Sequence, residues 1–397
     1  MRKNVLKSVV FICVVWLGVS SCTEPKETSY ELAVRVLKDS TLLIANEIIS
    51  APPITVTASV CPRSTGGIHD FYSEGDYWWP DTTNPDGPYI RKDGLTNPDN
   101  FTAHRKALIR LSEIVGNLTS AYLITDDAVY AEAANKHLHA WFVEEETRMN
   151  PNLLYAQAIQ GRHTGRGIGI IDAIHFMEVV QSILILEQNQ KIAQAEMQAL
   201  RAWFSEFLHW LTTHPYGQDE MVHPNNHGTC WNMQVGLYAL FTQNDSILAF
   251  CRDNFQQTLL PNQMAKDGSF PLELARTKPY GYSLFNLDAM VMNCLILSGD
   301  SHNLWEFRTP EGIGVQDGLD YMDAYVANKT SWPLPPDVMY WDNWPVAHPA
   351  FLLAGTYFDR TDWIDLWINN KHFLEVEEVR RNMPIRHPLL WLWSKSK

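Results

Sequence analysis

Apolar residues recur every three or four positions through most of the 397-residue chain. Helix-period stretches fall at roughly 30–50, 102–123, 126–145, 168–188, 190–213, 229–243, 246–258, 284–298, 318–328 and 345–356. HRKALIRLSEIVGNLTSAYLIT, residues 104–125, keeps this spacing, and Asp126-Asp127 then opens the next helix, AVYAEAANKHLHAWFV. Strand-like alternation is nearly absent. Helix follows helix through short connections, and no change of composition divides residues 31–397. The pattern predicts one all-α domain of stacked antiparallel helical hairpins, closed into an α/α toroid or incomplete barrel.

Five long segments interrupt the periodicity: 52–100, 146–166, 214–228, 261–283 and 330–344, all rich in Gly, Pro, Asn, Asp, His, Arg and aromatic residues. Loops of this length are uncommon in a compact domain unless they are functional, so the chemistry is expected where they converge.

The amino terminus follows a different logic. Arg2, Lys3 and Lys7 precede an apolar run from Val9 to Val19, the layout of an export signal over residues 1–21, and the run is too short to span a bilayer. Val19-Ser20-Ser21-Cys22 resembles a bacterial lipoprotein box, which implies cleavage before Cys22 and lipidation of its thiol. Residues 22–30 then read as a tether to a lipid anchor in the envelope of a Gram-negative bacterium, the anchor being the expected contact with membrane. Cys61, Cys230, Cys251 and Cys294 remain without a CxxC spacing, which argues against structural zinc, and the apolar surroundings of Cys251 and Cys294 predict buried free thiols.

Composition narrows the function. With 46% hydrophobic residues, 15 Trp, 15 Tyr and 16 Phe, the chain fills a large core and still has rings for a groove. Its net charge of −14 becomes −17 once the three cations of residues 1–21 are removed, which excludes nucleic acid as a natural partner. An anionic polymer would be repelled at long range as well, so a site for one has to concentrate its own cations.

Four loops carry candidate chemistry. In GGIHDFYSEGDYWWPDTTNPDGPYIRKDGLTNPD, residues 66–99, Tyr77, Trp78 and Trp79 suit stacking on sugar rings. In NPNLLYAQAIQGRHTGRGIGIIDAIHF, residues 150–176, Gln160, Arg162, His163 and Arg166 crowd a glycine-rich turn and offer donors to anions; the pattern predicts no strand before the loosely spaced glycines, so a dinucleotide site is not expected. HPNNHGTCWNMQVGLYALF, residues 223–241, sets Asn225, Asn226, His227 and Gly228 before an apolar helix, more than a helix cap requires. DGSFPLELARTKPYGYSLFNLDAM, residues 267–290, brings Glu273, Arg276, Lys278, Tyr280 and Tyr282 to another helix mouth. His209, His214, His223 and His227 form no HExxH and no metal is expected; no GxSxG supports a serine hydrolase. Asp81, Asp219, Glu220 and Glu273 are the carboxylates available to a glycoside hydrolase, and a surface glycan-binding lipoprotein would need the aromatic groove alone.

DYWWPD, GPYIRKDG, NPNLLYAQAI, TGRGIGIID, PYGQDE, NNHGT and DGSFPLELARTKPYGYSLFNLDA occur in that order over most of residues 70–300. Together they resemble the alginate lyase superfamily of polysaccharide lyases, including its bacteroidal lipoprotein members. The resemblance implies an α/α toroid that cleaves alginate or a related polyuronate by β-elimination, leaving a 4,5-unsaturated end and requiring no cofactor. Asn226 and His227 match the family's Asn-His pair and Arg276 its arginine, which implies neutralisation of the uronate carboxylate. Tyr282 matches the catalytic tyrosine, acting as base and acid at mannuronate or glucuronate; at guluronate the resemblance makes His227 the base and Tyr282 the acid. The segment RTKPYGY departs from better-known members by offering two phenols, of which Tyr282 fits the position before the Ser-x-x-Asn run and Tyr280 is assigned to substrate binding. Gln160, His163 and Arg166 carry over as subsite residues. A phenol starts near pKa 10, about three units too high for a base at neutral pH, so Arg276 and His227 are expected to lower that of Tyr282.

Overall fold

The structure, a computed structural model, describes residues 27–393. The expected signal segment and Cys22 lie outside them. The first helix, α1 (Ser29–Ile48), begins inside the last residues assigned to the tether. Thr28 and Glu31 close a capping box there: Glu31 N donates to Thr28 Oγ1 at 3.2 Å and Thr28 N to Glu31 Oε2 at 2.8 Å. Next, α2 (Ala103–Thr125) and α3 (Ala128–Phe142) form a hairpin. Asp126 ends α2 in the left-handed conformation at φ +57°, and Asp127 starts α3 by accepting from Val129 N at 3.1 Å.

The predicted helix 168–188 is two pieces, a 3₁₀ stretch Gly167–Ala173 and α4 (Phe176–Gln188). The backbone of the first piece lies against its neighbours so closely that a Cβ on Gly169 would sit 2.5 Å from Ala156 Cβ. After α5 (Gln194–Thr213), the supposed loop 214–228 holds a short α6 (Pro215–Met221), capped by His214 Nδ1, which accepts from Tyr216 N at 3.1 Å. Then come α7 (Asn226–Phe241), α8 (Asp245–Asn254), a π turn Phe255–Leu259, α9 (Leu260–Gln263), α10 (Pro271–Leu274) and α11 (Pro279–Leu297). Both α7 and α11 start earlier than their periodicity suggests, because their first turns are polar or tyrosine-rich and yet buried. The chain closes with α12 (Val315–Ala327), α13 (Pro349–Phe358), α14 (Thr361–Asn369), α15 (Glu377–Arg381) and α16 (Pro388–Trp393).

Successive helices pack as antiparallel hairpins around an incomplete α/α toroid, with α11 against α7 at its centre. Of the rings, Trp141, Trp231, Trp363 and Trp367 are fully buried, each contributing about 3 kcal/mol through apolar area removed from water. Cys61, Cys230 and Cys251 are free and buried, and Cys294 is buried. The little strand structure present fastens the long loops. β1 (Tyr72–Glu74) pairs in parallel with β4 (Tyr155–Ala158), and β2 (Trp78–Trp79) pairs antiparallel with β3 (Ile90–Arg91).

Candidate active site

A cleft of about 440 Å³ opens where these loops meet the amino-terminal ends of α7 and α11. Asp76, Tyr77 and Trp78 enter it from the first loop, Gln157 and Arg166 from the second, Asn225 to His227 from α7, Arg276 and Tyr282 from the α11 mouth. A cavity of similar size between α1, α2 and the carboxy-terminal segment contains none of the candidate residues.

At α7, Asn225 is the cap, its Oδ1 accepting from His227 N at 3.4 Å. Gly228 is required by close approach, since a Cβ there would lie 2.3 Å from the carbonyl oxygen of His223. The two residues between them are each held from behind by a buried acid. Asn226 donates through its backbone N to Glu273 Oε1 and through Nδ2 to Glu273 Oε2, both at 2.8 Å. His227 bonds through Nδ1 to Glu220 Oε1 at 2.7 Å, which leaves Nε2 for the cleft. Glu220 and Glu273 are 0% and 1% exposed and do not line the cleft, so neither stands as a glycosidase acid. Asp81 is half-buried outside the cleft lining and accepts from its own neighbour Thr83.

At α11, the Tyr282 and Tyr77 hydroxyls are 2.6 Å apart. The Arg276 guanidinium carbon lies 4.5 Å from the Tyr282 ring centre, and its Nη2 is 3.5 Å from the Tyr282 hydroxyl. Arg276 is itself fastened to Asp93 by bonds of 3.0 and 3.3 Å. The Tyr282 phenol does not sit below its ordinary range, as the sequence led us to expect, but well above it. Burial and the adjacent Tyr77 oxygen drive it up against the pull of Arg276.

The floor of the cleft is a buried charge network. Asp76 accepts from Arg105 at 2.7 and 3.0 Å and from Arg381, whose other nitrogen meets Glu378 at 2.8 Å. Glu378 in turn binds Lys278 at 2.8 Å. Burial alone would raise the Asp76 carboxyl, but Arg105 and Arg381 hold it down at about 2. Arg166 donates to the Gln157 backbone and side chain at 2.8 and 3.1 Å, and burial lowers its pKa to about 10, still a cation at neutral pH. Arg91, Arg166, Arg276 and Arg381 thus face the cleft against Asp76 and Asp172, a local excess of cations on an acidic protein.

Not every candidate reaches this place. Tyr280 is 0% exposed, packs edge-on against Trp332 and Trp341 and donates to the Tyr325 carbonyl at 3.1 Å, so its assignment to substrate binding is corrected to a core role. Helix geometry explains this, since residues two apart on α11 point in different directions. Gln160 turns inward to Glu74 and Tyr72, Trp79 donates to the Leu95 carbonyl, and exposed His163 stands outside the cleft lining. The sequence reading in turn missed Arg381 and Asn382, which no local motif marks, and the roles of Glu220 and Glu273 as partners of His227 and Asn226.

A helical toroid with a cationic cleft of this kind is that of a polysaccharide lyase. The alginate lyase family profile matches residues 55–332, and the chain belongs to that family. An alginate lyase from Bacteroides ovatus is similar at 30% identity with a TM-score of 0.79, covering 90% of this chain and 93% of that one. Alginate lyase A1-III from Sphingomonas species A1 shares the fold at 14% identity, with a TM-score of 0.53 and coverage of 92% and 96%. A variant of alginate lyase A1-III complexed with a tetrasaccharide aligns at 14% identity with a TM-score of 0.57, covering 87% and 92%. Among curated proteins none matches at a significant level.

Proposed function

We propose that the cleft cleaves alginate or a related polyuronate by β-elimination. The observation that carries the proposal is the meeting of Asn226, His227, Arg276 and Tyr282 in one cleft, from segments far apart in sequence. The C5 proton of a uronate is only weakly acidic, so its removal needs donors on the carboxylate as charge spreads into it. Preorganised donors of this type are worth about 3–4 kcal/mol each. Asn226, His227 and Arg276 supply them, and Trp78 offers a ring to a sugar face.

Tyr282 then takes the C5 proton as phenolate. The C5–H electrons form the C4=C5 bond, the C4–O4 bond breaks, and the same phenol returns its proton to O4 of the leaving chain. Both transfers occur on one face, as in mannuronate or glucuronate. At guluronate His227 Nε2 serves as base and Tyr282 as acid. As neutraliser, His227 carries a proton on both nitrogens and Glu220 is its counter-charge; as base, Nε2 is bare.

Incubation with polymannuronate, polyguluronate and glucuronan, followed by ultraviolet absorbance of the unsaturated ends, tests the reaction. Folded protein that releases none from any of the three defeats it, and reducing ends without unsaturation identify a hydrolase instead. We further propose that Cys22 carries lipid at the cell envelope; fatty-acid labelling lost in Cys22→Ser tests this.

A further inference from the structure

We infer that Glu273 is the positioning residue that aims the Asn226 amide at the uronate carboxylate and couples it to Arg276; this rests on the reading above. Glu273 sits on the one-turn helix α10, with Asn226 on α7 before it. Its two oxygens accept from the backbone N and the Nδ2 of the same residue, both at 2.8 Å. A carboxylate gripping both ends of one asparagine fixes the plane of its amide, and the second N–H of that amide remains for the cleft that Asn226 lines.

A structural task alone does not account for the grip. The start of α7 is secured without it: Asn225 Oδ1 caps the helix and the Asn225 carbonyl accepts from Gln263 Nε2 at 3.0 Å. The bond to Nδ2 is therefore surplus to helix capping. Glu273 is also buried to 1% exposure, where a carboxylate is costly unless its partners require it. Three residues on, the backbone N of Arg276 donates to the Glu273 carbonyl at 3.0 Å. One short turn therefore holds Asn226 from behind and presents Arg276 to the same cleft, fixing the distance between the two donors.

Glu273→Gln tests this. A glutamine oxygen satisfies one of the two Asn226 donors while its NH2 confronts the other, so the amide loses its aim. We expect kcat on the best uronan to fall about 10- to 100-fold with little change in KM. The deciding measurement is a cycle with Asn226→Ala: Glu273→Gln added to that variant costs nothing further. Losses that multiply, or a Glu273→Gln enzyme of wild-type kcat, overturn the inference. If the glutamine variant fails to fold, Glu273→Asp replaces it, keeping the charge but withdrawing it by one methylene, and the same cycle applies. A wild-type protein silent on every uronan, or an Asn226→Ala variant of full activity, refutes the underlying reading and is distinguished from failure of the cycle.

Discussion

The hydroxyls of Tyr77 and Tyr282 lie 2.6 Å apart although 205 residues separate them in the chain. The loop that carries Tyr77 thus ends on the phenol assigned to proton transfer. Replacing Tyr282 by Phe removes both base and acid, and kcat is expected to fall about 100- to 10,000-fold on polymannuronate. Product formation at the wild-type rate would remove Tyr282 from the mechanism.

The same contact sets a pH dependence. Burial, then Tyr77, drives the Tyr282 phenol up, while Arg276 pulls it down. Raising the pKa of an acid makes its deprotonated form scarcer at a given pH, so the phenolate population grows as pH rises. We expect kcat/KM on polymannuronate to climb between pH 6 and 9, and the climb to move toward lower pH in Tyr77→Phe. Arg276→Ala moves it the other way. A profile that ignores both substitutions shows that the phenolate does not limit the reaction.

Arg276 should also matter for the barrier itself. Loss of one preorganised donor costs about 3–4 kcal/mol, or roughly 100- to 1,000-fold in kcat for Arg276→Ala. Its partner Asp93 lies behind it: burial acts to raise that carboxyl, but Arg276 and Arg91 hold it at about 2. Asp93→Asn keeps the arginine and loosens its fastening, so a smaller loss is expected, measured in the same assay. An Asp93→Asn loss exceeding that of Arg276→Ala would assign Asp93 a role beyond anchoring.

Tyr280 supplies the contrast. Its hydroxyl serves the Tyr325 carbonyl, not the cleft. Tyr280→Phe is expected to leave kcat and KM unchanged and to lower unfolding free energy by about 1 kcal/mol in urea titration. A raised KM would restore it as a binding residue.

The pair Tyr280 and Tyr282 also shows what the sequence conveys and what it withholds. Helix periodicity delivered the hairpins, because an apolar face must be buried at a fixed angular spacing whatever it packs against. Asn226 and His227 stood out as residue types surplus to a helix cap, whereas Arg276 and Tyr282 were marked by the resemblance of the ordered motifs to alginate lyases. Whether a side chain faces the cleft or the core depends on neighbours supplied from elsewhere: Trp332 and Trp341 enclose Tyr280, and Arg381 reaches the cleft from α15. α16 was missed because PLLWLW is a short apolar run with no period to read. α14 has a visible amphipathic stripe, but only nine residues in which to show it.

One stability prediction lies away from the cleft. Glu178 is fully buried on α4, with Oε1 accepting from Arg386 N at 2.8 Å and His387 N at 2.5 Å. Burial lifts its carboxyl from 4.5 to about 7. Below pH 4.5 the group is protonated in both folded and unfolded chains and takes no part in the balance. As pH rises further, the unfolded chain releases the proton first, so stability is lost progressively up to about pH 7 and is then constant, a deficit of about 3 kcal/mol. Glu178→Gln has no proton to release and keeps an acceptor for the two backbone N–H groups. Relative to wild type it should gain up to about 3 kcal/mol in urea unfolding at pH 8 and close to nothing at pH 4.5. A variant equally destabilised at both pH values would show that the carboxyl is held ionised by its neighbours.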